Sequence, residues 1–521
     1  MASSRTIFIS NTIPYVNARP HLGHAFEFVQ TDAYARFLRG QGADLFYLSG
    51  SDENSLKNVL AAEKERIETS QLVDRNVEYF TALQPLLQLS YDDFIRTSAD
   101  DIHRRGATRF WNALAANDDL YKKTYGGLYC VGCEQFYLED ELIEGRCPEH
   151  GTIPEFIEEE NYFFRLSRYQ GELLELLESR KIDIVPETRR NEVLSFVGGG
   201  LQDISFSRSA QRARGWGIPV PGDPDHVMYV WMDALTNYIT ALDWADDGER
   251  YQHYWAGADD RIHVVGKGVT RFHAVYWPAM LLAAGLPTPT TIVVHGYVTV
   301  AGGKLSKSTG NVVDPEELVD EQGADAVRQF LLAELSPVAD GDFTGERLVR
   351  RYNADLANGL GNLVSRVTTM IANYRDGRVP TASLGTDGPL RASADAAAVA
   401  YTRAFEAFDH REACQALWDF VRSANAFVEA EAPWSLAKAE RAGDAAAGGR
   451  LDIVLFELAC ALQFLATHLR PVLPRSSEHL LSLLGGPNDG VQIDVPWGIG
   501  LAGAQITKPP ALFPRKDELV P

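Results

Sequence analysis

The sequence predicts an α/β protein built on a parallel sheet, with an insertion in its middle and an all-α region towards its C-terminal end. Short apolar runs alternate with amphipathic helix patterns in residues 1–115 and again in 226–345, which is typical of a parallel sheet. Residues 116–225 differ in composition, with clustered cysteines, acidic runs and segments rich in Gly and Pro. Beyond residue 346 only helical periodicity remains.

Length and charge limit the classes of protein that this chain can represent. With 521 residues it is long enough for several domains, each with a sizeable core. A formal net charge of −22 argues against indiscriminate binding to nucleic acid, so a nucleic-acid partner must be met by local patches. The longest apolar stretch, AVYWPAMLLAAGL, is shorter than the roughly 20 residues of a membrane span, and the N-terminus lacks a secretory signal. We therefore expect a cytoplasmic protein with no membrane segment.

The α/β region begins with a buried strand at residues 5–10, RTIFIS. A turn containing Pro and Asn follows, and the helix pattern HLGHAFEFVQTDAYARFLRG then ends at Gly40. The segment ADLFYLSGSDEN predicts a second strand that leads into Gly50 and Asp52. RIHVVG near residue 262 and TTIVVHGYV near residue 292 predict further strands of the same sheet.

The insertion contains the candidate metal site of the sequence. Cys130, Cys133, Cys147 and His150 form the pattern C-x2-C-x13-C-x2-H. Two ligand pairs, each joined by a short loop, suit tetrahedral Zn2+. We expect one structural zinc ion here, and reduced thiols without a metal are the alternative.

The C-terminal third is predicted to be a helix bundle. Its clearest pattern is RLDIVLFELACALQFLATHLRP, in which leucines recur at intervals of four and three until Pro471 ends the run. The segment AGDAAAGG, residues 442–449, is predicted to be a loop of low complexity. The leucines of the stripe are Leu451, Leu455, Leu458, Leu462, Leu465 and Leu469.

Two short polar motifs supply candidate catalytic groups. His21 and His24 flank Gly23 where the first helix follows the first strand, so imidazoles and backbone N–H groups converge where a phosphate could bind. Lys304 and Lys307 lie in GGKLSKSTGNVVDP, and two ammonium groups on a loop suit an anionic leaving group. Either motif alone is more often an ordinary set of surface or core residues.

Together, His-Leu-Gly-His and Lys-Leu-Ser-Lys-Ser resemble the two signature motifs of class I aminoacyl-tRNA synthetases. Further segments are similar to the methionyl-tRNA synthetases along nearly the whole chain: FISNTIPYVNARPHLGHAFE, EENYFFRLS, RNEVLSF, YVWMDALTNYIT, RFHAVYWPAML and RYNADLANGLGNLVSR. The resemblance implies a Rossmann-like catalytic domain over residues 1–115 and 226–345. It also implies a connective insertion with a zinc knuckle over 116–225, and an anticodon-binding helix bundle with a C-terminal tail over 346–521.

The resemblance implies a two-step ligase reaction that uses ATP, L-methionine and methionine tRNA. Methionine attacks the α-phosphorus of ATP, which forms methionyl adenylate and releases pyrophosphate, and methionine then passes to the terminal adenosine of the tRNA. Mg2+ accompanies ATP and shares the neutralisation of its charge. The implied ATP-binding residues are His21, Gly23, His24, Lys304 and Lys307, and the two histidines and two lysines are also the implied catalytic residues.

The same resemblance implies which residues select the substrates. Asp52 would hold the ammonium group of methionine, and aromatic walls would suit its polarizable thioether. In the bundle, one helix face and an exposed indole would read the CAU anticodon by hydrogen bonding and base stacking. The implied side-chain pocket is Ile13, Tyr15, Trp231, Ala234, Tyr238 and His273, and the implied tRNA-binding residues are Asn358, Asn362, Arg366 and Trp434.

Four positions depart from the commonest pattern of this family. Leu305 replaces a Met in the second motif, and His150 replaces a fourth Cys. Asn54 stands where His is common, and Gly268 stands where an Asp often follows the lysine. The last two lie near the implied active site, so they put catalytic strength and inhibitor sensitivity in question.

Three alternatives follow from these motifs. The chain can be a working synthetase, either the housekeeping enzyme or a second, divergent copy. It can be a catalytically silent tRNA-binding paralogue, against which the two histidines, Asp52 and the loop lysines weigh. It can be an adenylating ligase that couples an amino acid to a small molecule, against which the anticodon residues weigh. Dimeric members of the family usually carry a further C-terminal domain, so we expect a monomer.

Overall fold

The computed structural model describes residues 5–132, 135–149, 151–300, 303–304, 312–381, 388–485, 493, 496–507 and 509–517. The chain forms two compact units. The first comprises residues 1–27, 44–84 and 90–295. The second comprises residues 28–43, 85–89 and 296–521, so residues 296–345, which the sequence assigned to the catalytic domain, cluster with the helix bundle.

A six-stranded sheet forms the centre of the first unit, and every neighbouring pair of strands is parallel, as predicted. Its four central strands are buried along most of their length, as is typical of a parallel sheet with helices on both faces. Phe8, Leu48, Val265 and Val294 are all fully buried within one hydrophobic cluster. The strands in spatial order are Asp93–Arg96, Asp44–Ser51, Thr6–Asn11, Asp260–Gly266, Thr291–His295 and Asp183–Val185.

The helices of the first unit follow the predicted alternation with strands. The helix after the first strand runs from Leu22 to Gly40, where the sequence pattern ends. Helix Val230–Thr240 is buried along its whole length, which explains why its sequence lacks a polar face. The other helices of at least seven residues in this unit are Leu56–Glu65, Thr69–Thr81, Asp101–Ala116, Gln170–Glu178, Glu187–Gly198 and Trp277–Ala283.

The insertion contains a separate antiparallel sheet. Its strands in spatial order are Gln135–Tyr137, Leu120–Cys130, Glu155–Phe164 and Ile204–Ser205. A smaller antiparallel sheet orders Pro219–Val220, Asp223–Met228 and Ser207–Ser209. The strand Asp183–Val185 lies inside the range 116–225 that the sequence assigned to the insertion, yet it pairs with Thr291–Val293 as an edge strand of the parallel sheet.

The second unit is mainly helical, as predicted. Its small sheet orders Gly303–Lys304, Val298–Val300 and Gly341–Phe343. One continuous helical run comprises Gly345–Arg351, the π-helical Tyr352–Gly361 and Asn362–Arg375. The remaining helices are Pro315–Gln322, Ala324–Ala333, Pro389–Glu406, His410–Glu431, Pro433–Arg441, Ala445–His468 and Pro474–Leu483.

The helix Ala445–His468 forms the core of the bundle. It is the one helix among the described residues that is long and apolar enough to cross a membrane, and 78% of its most apolar window is buried inside the protein. Leu451, Leu455, Leu458, Leu462 and Leu465 of the predicted stripe are all fully buried. The helix begins at Ala445, so the expected loop over residues 442–449 is wrong from residue 445 onwards.

A fully buried arginine ties together segments of the second unit that are distant in sequence. The guanidinium of Arg328 lies 2.7 Å from the Asp32 carboxylate. It also donates to the backbone carbonyls of Leu87, Pro471 and Val472 at 2.7 to 3.0 Å. A buried cation with this many acceptors is fully compensated, and removal of either charged partner would leave the other charge uncompensated.

Candidate active site

The first two strands of the sheet end side by side and place Asp52 beside Tyr15. The Asp52 amide donates to the Pro14 carbonyl at 2.9 Å, and Tyr15 and Asp52 form an isolated parallel bridge. Asp52 is 1% exposed. Polar residues at the carboxyl ends of parallel strands are where α/β sheets bind ligands. The predicted ammonium anchor therefore lies at the position expected for a ligand site.

Gly50 allows the predicted pocket residue Ile13 to approach this corner of the sheet. A Cβ at Gly50 would lie 2.5 Å from the Ile95 carbonyl oxygen and 2.9 Å from the Ile13 Cγ2 atom. Neither distance is compatible with a side chain, and one of the two atoms belongs to the backbone. Glycine is thus required at the end of the second strand, two residues before Asp52.

The residues that follow Asp52 are held by two separate hydrogen-bond networks. The fully buried Glu53 accepts from the Arg96 guanidinium at 2.8 and 3.1 Å. The Asn54 amide nitrogen donates to the Asp233 carboxylate at 2.6 Å. The other oxygen of Asp233 accepts from His103 Nε2 at 2.5 Å. Asn54, one of the family departures, thus links the Asp52 segment to the helix Val230–Thr240.

That helix supplies the aromatic wall of the predicted methionine pocket. Trp231 lies in its first turn, and its ring centroid is 6.2 Å from that of Tyr15 in an edge-on arrangement. On its other side Trp231 stacks on Phe272 with centroids 3.7 Å apart. Ala234, one turn further along, is 2% exposed and provides a small buried surface. The predicted residues Tyr15, Trp231 and Ala234 are therefore placed by neighbouring elements, and Phe272 is an additional wall.

Tyr238 and His273 form a buried hydrogen-bonded pair at the base of this region. His273 Nδ1 lies 3.0 Å from the Val269 carbonyl, to which it must donate. Its Nε2 atom therefore accepts from the Tyr238 hydroxyl at 2.7 Å. Burial lowers the pKa of His273 to about 4 and raises that of Tyr238, so both side chains are neutral at pH 7. The pair presents fixed polar atoms without charge to an apolar ligand.

Two further histidines of this region carried no signal in the sequence. His103 lies on the buried face of the helix Asp101–Ala116, and its ring bridges Asp233 and Thr240 of the neighbouring helix. His263 lies in the strand Asp260–Gly266, with Nδ1 2.8 Å from Ser10 Oγ and its ring centroid 4.2 Å from that of Tyr238. Burial holds the pKa of His263 well below its ordinary value. Neither histidine belongs to a motif, and only spatial proximity reveals them.

The His-Leu-Gly-His motif holds its two imidazoles in a defined orientation. The rings of His21 and His24 stack with centroids 3.8 Å apart. His24 Nδ1 accepts from the His21 amide at 3.1 Å, and His21 Nδ1 accepts from the Gly23 amide at 3.1 Å. Because each Nδ1 is an acceptor, each neutral imidazole carries its proton on Nε2. Nε2–H is the group that can donate to a phosphate oxygen.

The next turn of the helix Leu22–Gly40 is hydrogen-bonded to the strand Thr291–His295 of the parallel sheet. Glu27 Oε2 lies 2.8 Å from His295 Nε2, and Glu27 Oε1 accepts from the Thr12 amide at 2.8 Å. Gly266 lies beside this pair, and a Cβ there would make ordinary contacts of 3.6 Å with His295 Cε1 and 3.7 Å with Glu27 Oε2. Gly268, another departure from the family, lies just beyond in the single turn Lys267–Val269.

The lysines of the second motif are only partly described. The backbone of Gly303–Lys304 forms a short strand antiparallel to Val298–Val300, with Lys304 opposite Thr299. Lys307 and Leu305 lie outside the described residues. Beyond the motif, Asp314 caps the helix Pro315–Gln322 by accepting from the Glu316 amide. The roles of both lysines remain predictions.

The predicted anticodon residues lie in the second unit. Asn358 and Asn362 are exposed on the continuous helical run, and Arg366 is half-buried one turn further on. The Arg366 guanidinium lies 5.8 Å from the ring centroid of Trp434 and 2.7 Å from the Glu429 carboxylate. Trp434 is 43% exposed, which is unusual for a residue of this size. An exposed indole beside a cation can stack on a base, and the carboxamides of the same helical run can hydrogen-bond to one.

The cysteine cluster of the insertion is half described. Cys130 and Cys147 are each 1% exposed and lie in one small hydrophobic cluster with Tyr137. Cys133 and His150 lie outside the described residues, and no three potential ligand side chains converge within the described ones. Two buried thiols in one cluster fit half of the predicted ligand set.

Comparisons with known proteins agree with this geometry. A family model described as tRNA synthetases class I (M) matches residues 7–153 and 141–368. A second, described as the anticodon binding domain of methionyl tRNA ligase, matches residues 381–518. Together the two models cover most of the chain.

Individual relatives match over nearly the full length. The methionine–tRNA ligase of Brucella melitensis is 42% identical over 523 residues, which cover 99% of each chain. That of Mycobacterium bovis is 42% identical and covers 98% of this chain and 97% of the relative. The solved structure of Mycobacterium tuberculosis methionyl-tRNA synthetase in complex with methionyl-adenylate is 40% identical, with a TM-score of 0.92 over 98% of this chain and 100% of that one. The chain therefore belongs to the methionyl-tRNA synthetases, a family of class I tRNA synthetases that ligate methionine to tRNA.

Proposed function

We propose that the pocket around Asp52 binds methionine and presents its carboxylate to ATP in the first step of the ligase reaction. The observation that carries this proposal is the convergence of a buried carboxylate with an uncharged aromatic wall. Asp52 pairs with Tyr15, and Tyr15 meets Trp231 edge to edge. A carboxylate suits the ammonium group of an amino acid, and aromatic rings suit a thioether. Neutral Tyr238 and His273 complete the lining without adding a charge that would repel an apolar side chain.

The His-Leu-Gly-His motif is proposed to bind the phosphates of ATP. Nε2–H groups of His21 and His24 are donors, and Gly23 lies in the first turn of the helix Leu22–Gly40, where backbone N–H groups favour an anion. Lys304 and Lys307 would neutralise the pyrophosphate as its charge develops, and Mg2+ bound with ATP would supply further positive charge. These groups stabilise the transition state more than the bound substrate.

ATP–pyrophosphate exchange with the twenty amino acids tests this proposal. We expect exchange with methionine and its abolition in Lys307→Ala. Asp52→Asn should raise the KM for methionine about 10- to 100-fold, because loss of a charged hydrogen bond costs roughly 1.5 to 3 kcal/mol. Exchange with another amino acid would overturn the pocket assignment. Absence of exchange from folded protein would favour a silent paralogue.

The second unit is proposed to read the CAU anticodon through Asn358, Asn362, Arg366 and Trp434. Support comes from the match of the anticodon-binding family model to residues 381–518, which include Trp434, and from the position of Arg366 beside this exposed indole. Retention of these residues disfavours a ligase that uses a small molecule as acceptor. A single-base change in the anticodon should lower charging without altering the exchange reaction.

We further propose that Cys130, Cys133, Cys147 and His150 hold one structural Zn2+. The burial of Cys130 and Cys147 in one cluster supports this set. Elemental analysis should find about one zinc per chain, and Cys147→Ser should lose it while Cys414→Ser, a buried cysteine of the second unit, should retain it. Zinc-free protein with an intact fold would indicate unligated thiols.

The family resemblance also supports a monomeric enzyme of the cytoplasm, where uncharged tRNA is available. A monomer has a mass of 57.6 kDa. Light scattering during size-exclusion chromatography distinguishes this mass from that of a dimer. A dimer mass at micromolar protein would contradict the proposal.

A further inference from the structure

A cavity of about 430 Å3 lies in the second unit beside the predicted anticodon residues. One wall is the helical run that carries Asn358, Asn362 and Ser365. The opposite wall comes from the C-terminal tail and includes Leu512 and Phe513. The motifs of the sequence assign no role to these tail residues.

The tail is held in place by the same helical run. The Asn353 amide donates to the Lys516 carbonyl at 2.9 Å, and its oxygen accepts from the Lys516 amide at 3.0 Å. Tyr352 donates to the Pro514 carbonyl at 2.9 Å, and its ring meets that of Phe513 edge-on with centroids 6.1 Å apart. Asn353 is 5% exposed, so this two-point clasp is shielded from water. The position of Phe513 is thus fixed by contacts outside the cavity.

The backbone of the helical run is adapted to the approach of the tail. Residues Tyr352–Gly361 form a π-helical segment, a feature found frequently at functional sites. A Cβ at Gly361 would lie 3.6 Å from the Phe513 Cβ and 2.9 Å from the Leu356 carbonyl oxygen. A larger residue at this position would crowd the backbone and narrow the space beside Phe513.

The chemistry of the lining selects one class of ligand. Of the described residues that line the cavity, none is charged, so the cavity does not suit a phosphate. Two carboxamides and a hydroxyl offer both donors and acceptors, and Phe513 offers an apolar ring. Carboxamides opposite an aromatic ring suit the edge and the face of an unstacked nucleobase.

We propose that Phe513 forms the second wall of a nucleobase site and stacks on an unstacked base of the tRNA anticodon loop, whose edge Asn358 and Asn362 contact. This inference rests on the proposed anticodon role of the helix face. It adds the C-terminal tail to the parts of the chain that bind tRNA. The clasp through Asn353 makes the tail a positioned element of that site.

The test compares the KM for methionine tRNA in aminoacylation with the rate of methionine-dependent pyrophosphate exchange, which takes place without tRNA. Phe513→Ala should raise the KM for tRNA roughly 5- to 100-fold relative to exchange, since stacking contributes about 1 to 3 kcal/mol per base. Phe513→Tyr keeps an aromatic ring and should stay within about threefold of the parent. Tyr374→Ala removes a half-buried aromatic residue of the same helical run away from the cavity and serves as the matched control.

A second variant separates stacking from general damage to the fold. Asn353→Ala releases the clasp without changing a residue of the cavity, and it should also raise the KM for tRNA. In the double variant Asn353→Ala/Phe513→Ala the effects should not add, because both act through the position of one ring. Additive effects would show that Phe513 acts independently of the clasp and would contradict the positioned tail.

The outcomes also separate this inference from the proposed function on which it rests. If Phe513→Ala leaves the KM for tRNA unchanged while Asn362→Ala raises it, the tail is not part of the site and the inference is overturned. If Phe513→Ala, Asn358→Ala and Asn362→Ala all leave it unchanged, the proposed anticodon face fails as well.

Discussion

At the level of single residues, the neighbours of Asp52 determine how firmly the ammonium anchor is held. Glu53 is fixed by Arg96, and Asn54 is fixed by Asp233, whose second oxygen is bound by His103. The family commonly has His in place of Asn54, and both side chains can donate an N–H to a carboxylate. In this chain Asn54 supplies the hydrogen bond that links the Asp52 segment to the helix carrying Trp231.

This link predicts different effects for two substitutions of Asn54. Asn54→Ala leaves the buried Asp233 carboxylate with one donor fewer, so the KM for methionine should rise about tenfold, equivalent to about 1.4 kcal/mol. Asn54→His restores a donor and should remain within about threefold of the parent. The KM for ATP in pyrophosphate exchange should change little in both. A KM for methionine in Asn54→Ala equal to that of the parent would show that the link has no role in substrate binding.

The neutral state of His273 predicts how stability depends on pH. Its pKa is lowered from 6.5 to about 4 by burial, so between these values the unfolded chain binds a proton that the folded protein does not. Above pH 6.5 the neutral His273 therefore contributes up to roughly 3 kcal/mol to the free energy of unfolding, and this contribution is lost as the pH falls towards 4. His273→Gln can still accept from Tyr238 but does not titrate. Denaturant unfolding at several pH values should show a smaller loss at low pH for this variant, and an unchanged slope would contradict the assignment.

At the level of elements, the sequence located the strands and helices that have strong periodicity. The first strand, its helix ending at Gly40 and the parallel sheet follow the predicted pattern. The edge strand Asp183–Val185 was not predicted because it has only three residues and lies between helices in the sequence. A segment this short shows no recognisable strand pattern. Only its pairing with Thr291–Val293 assigns it to the sheet.

The start of the core helix shows why loop signals can mislead. Residues 442–449 were predicted to be a loop because they include Gly448 and Gly449, and glycine has a low helix propensity. The helix nevertheless begins at Ala445, and a Cβ at Gly448 would lie 2.6 Å from the Glu440 carboxylate oxygen. A side chain at this position would displace the Glu440 carboxylate, so glycine permits this contact, and the helix forms despite the low helix propensity of glycine.

Asp444 is the residue that starts this helix, and it predicts a stability effect. Its carboxylate accepts from the amides of Ala446 and Ala447. Asp444→Ala should lower the free energy of unfolding of the second unit by about 1 kcal/mol, whereas Asp444→Asn keeps an acceptor oxygen and should cost less. Denaturant unfolding monitored by far-ultraviolet circular dichroism measures both. An alanine variant as stable as the asparagine variant would show that the cap is unimportant.

The sequence predicted those residues of the candidate site that belong to recognisable motifs. The structure places Tyr15 next to both Asp52 and Trp231 and pairs Tyr238 with His273. The family resemblance assigned these residues to substrate binding, and that role stays a prediction. His103, His263 and Phe513 were missed because each acts through a contact with a residue far away in sequence. Such partners leave no local pattern in a single sequence.

At the level of the whole molecule, the two compact units carry different parts of the proposed activity. The first contains the proposed methionine pocket and the His-Leu-Gly-His motif. The second contains Lys304 and Lys307 and the proposed tRNA-binding face formed by Asn358, Asn362 and the tail. Substitutions in the pocket around Asp52, and substitutions of Lys304 and Lys307, should therefore change amino-acid activation. Substitutions in the face formed by Asn358, Asn362 and the tail should change the use of tRNA. A net charge of −22 makes selective contacts necessary, because the overall field repels RNA.

The most direct test of this account measures the charging of methionine tRNA transcripts with radiolabelled methionine. Transcripts with the CAU anticodon and with a single changed anticodon base are compared at equal concentration. We predict efficient charging of the first and at least about a tenfold lower kcat/KM for the second, with identical pyrophosphate exchange. Equal charging of the two transcripts, or no charging of either by protein that activates methionine, would contradict the account.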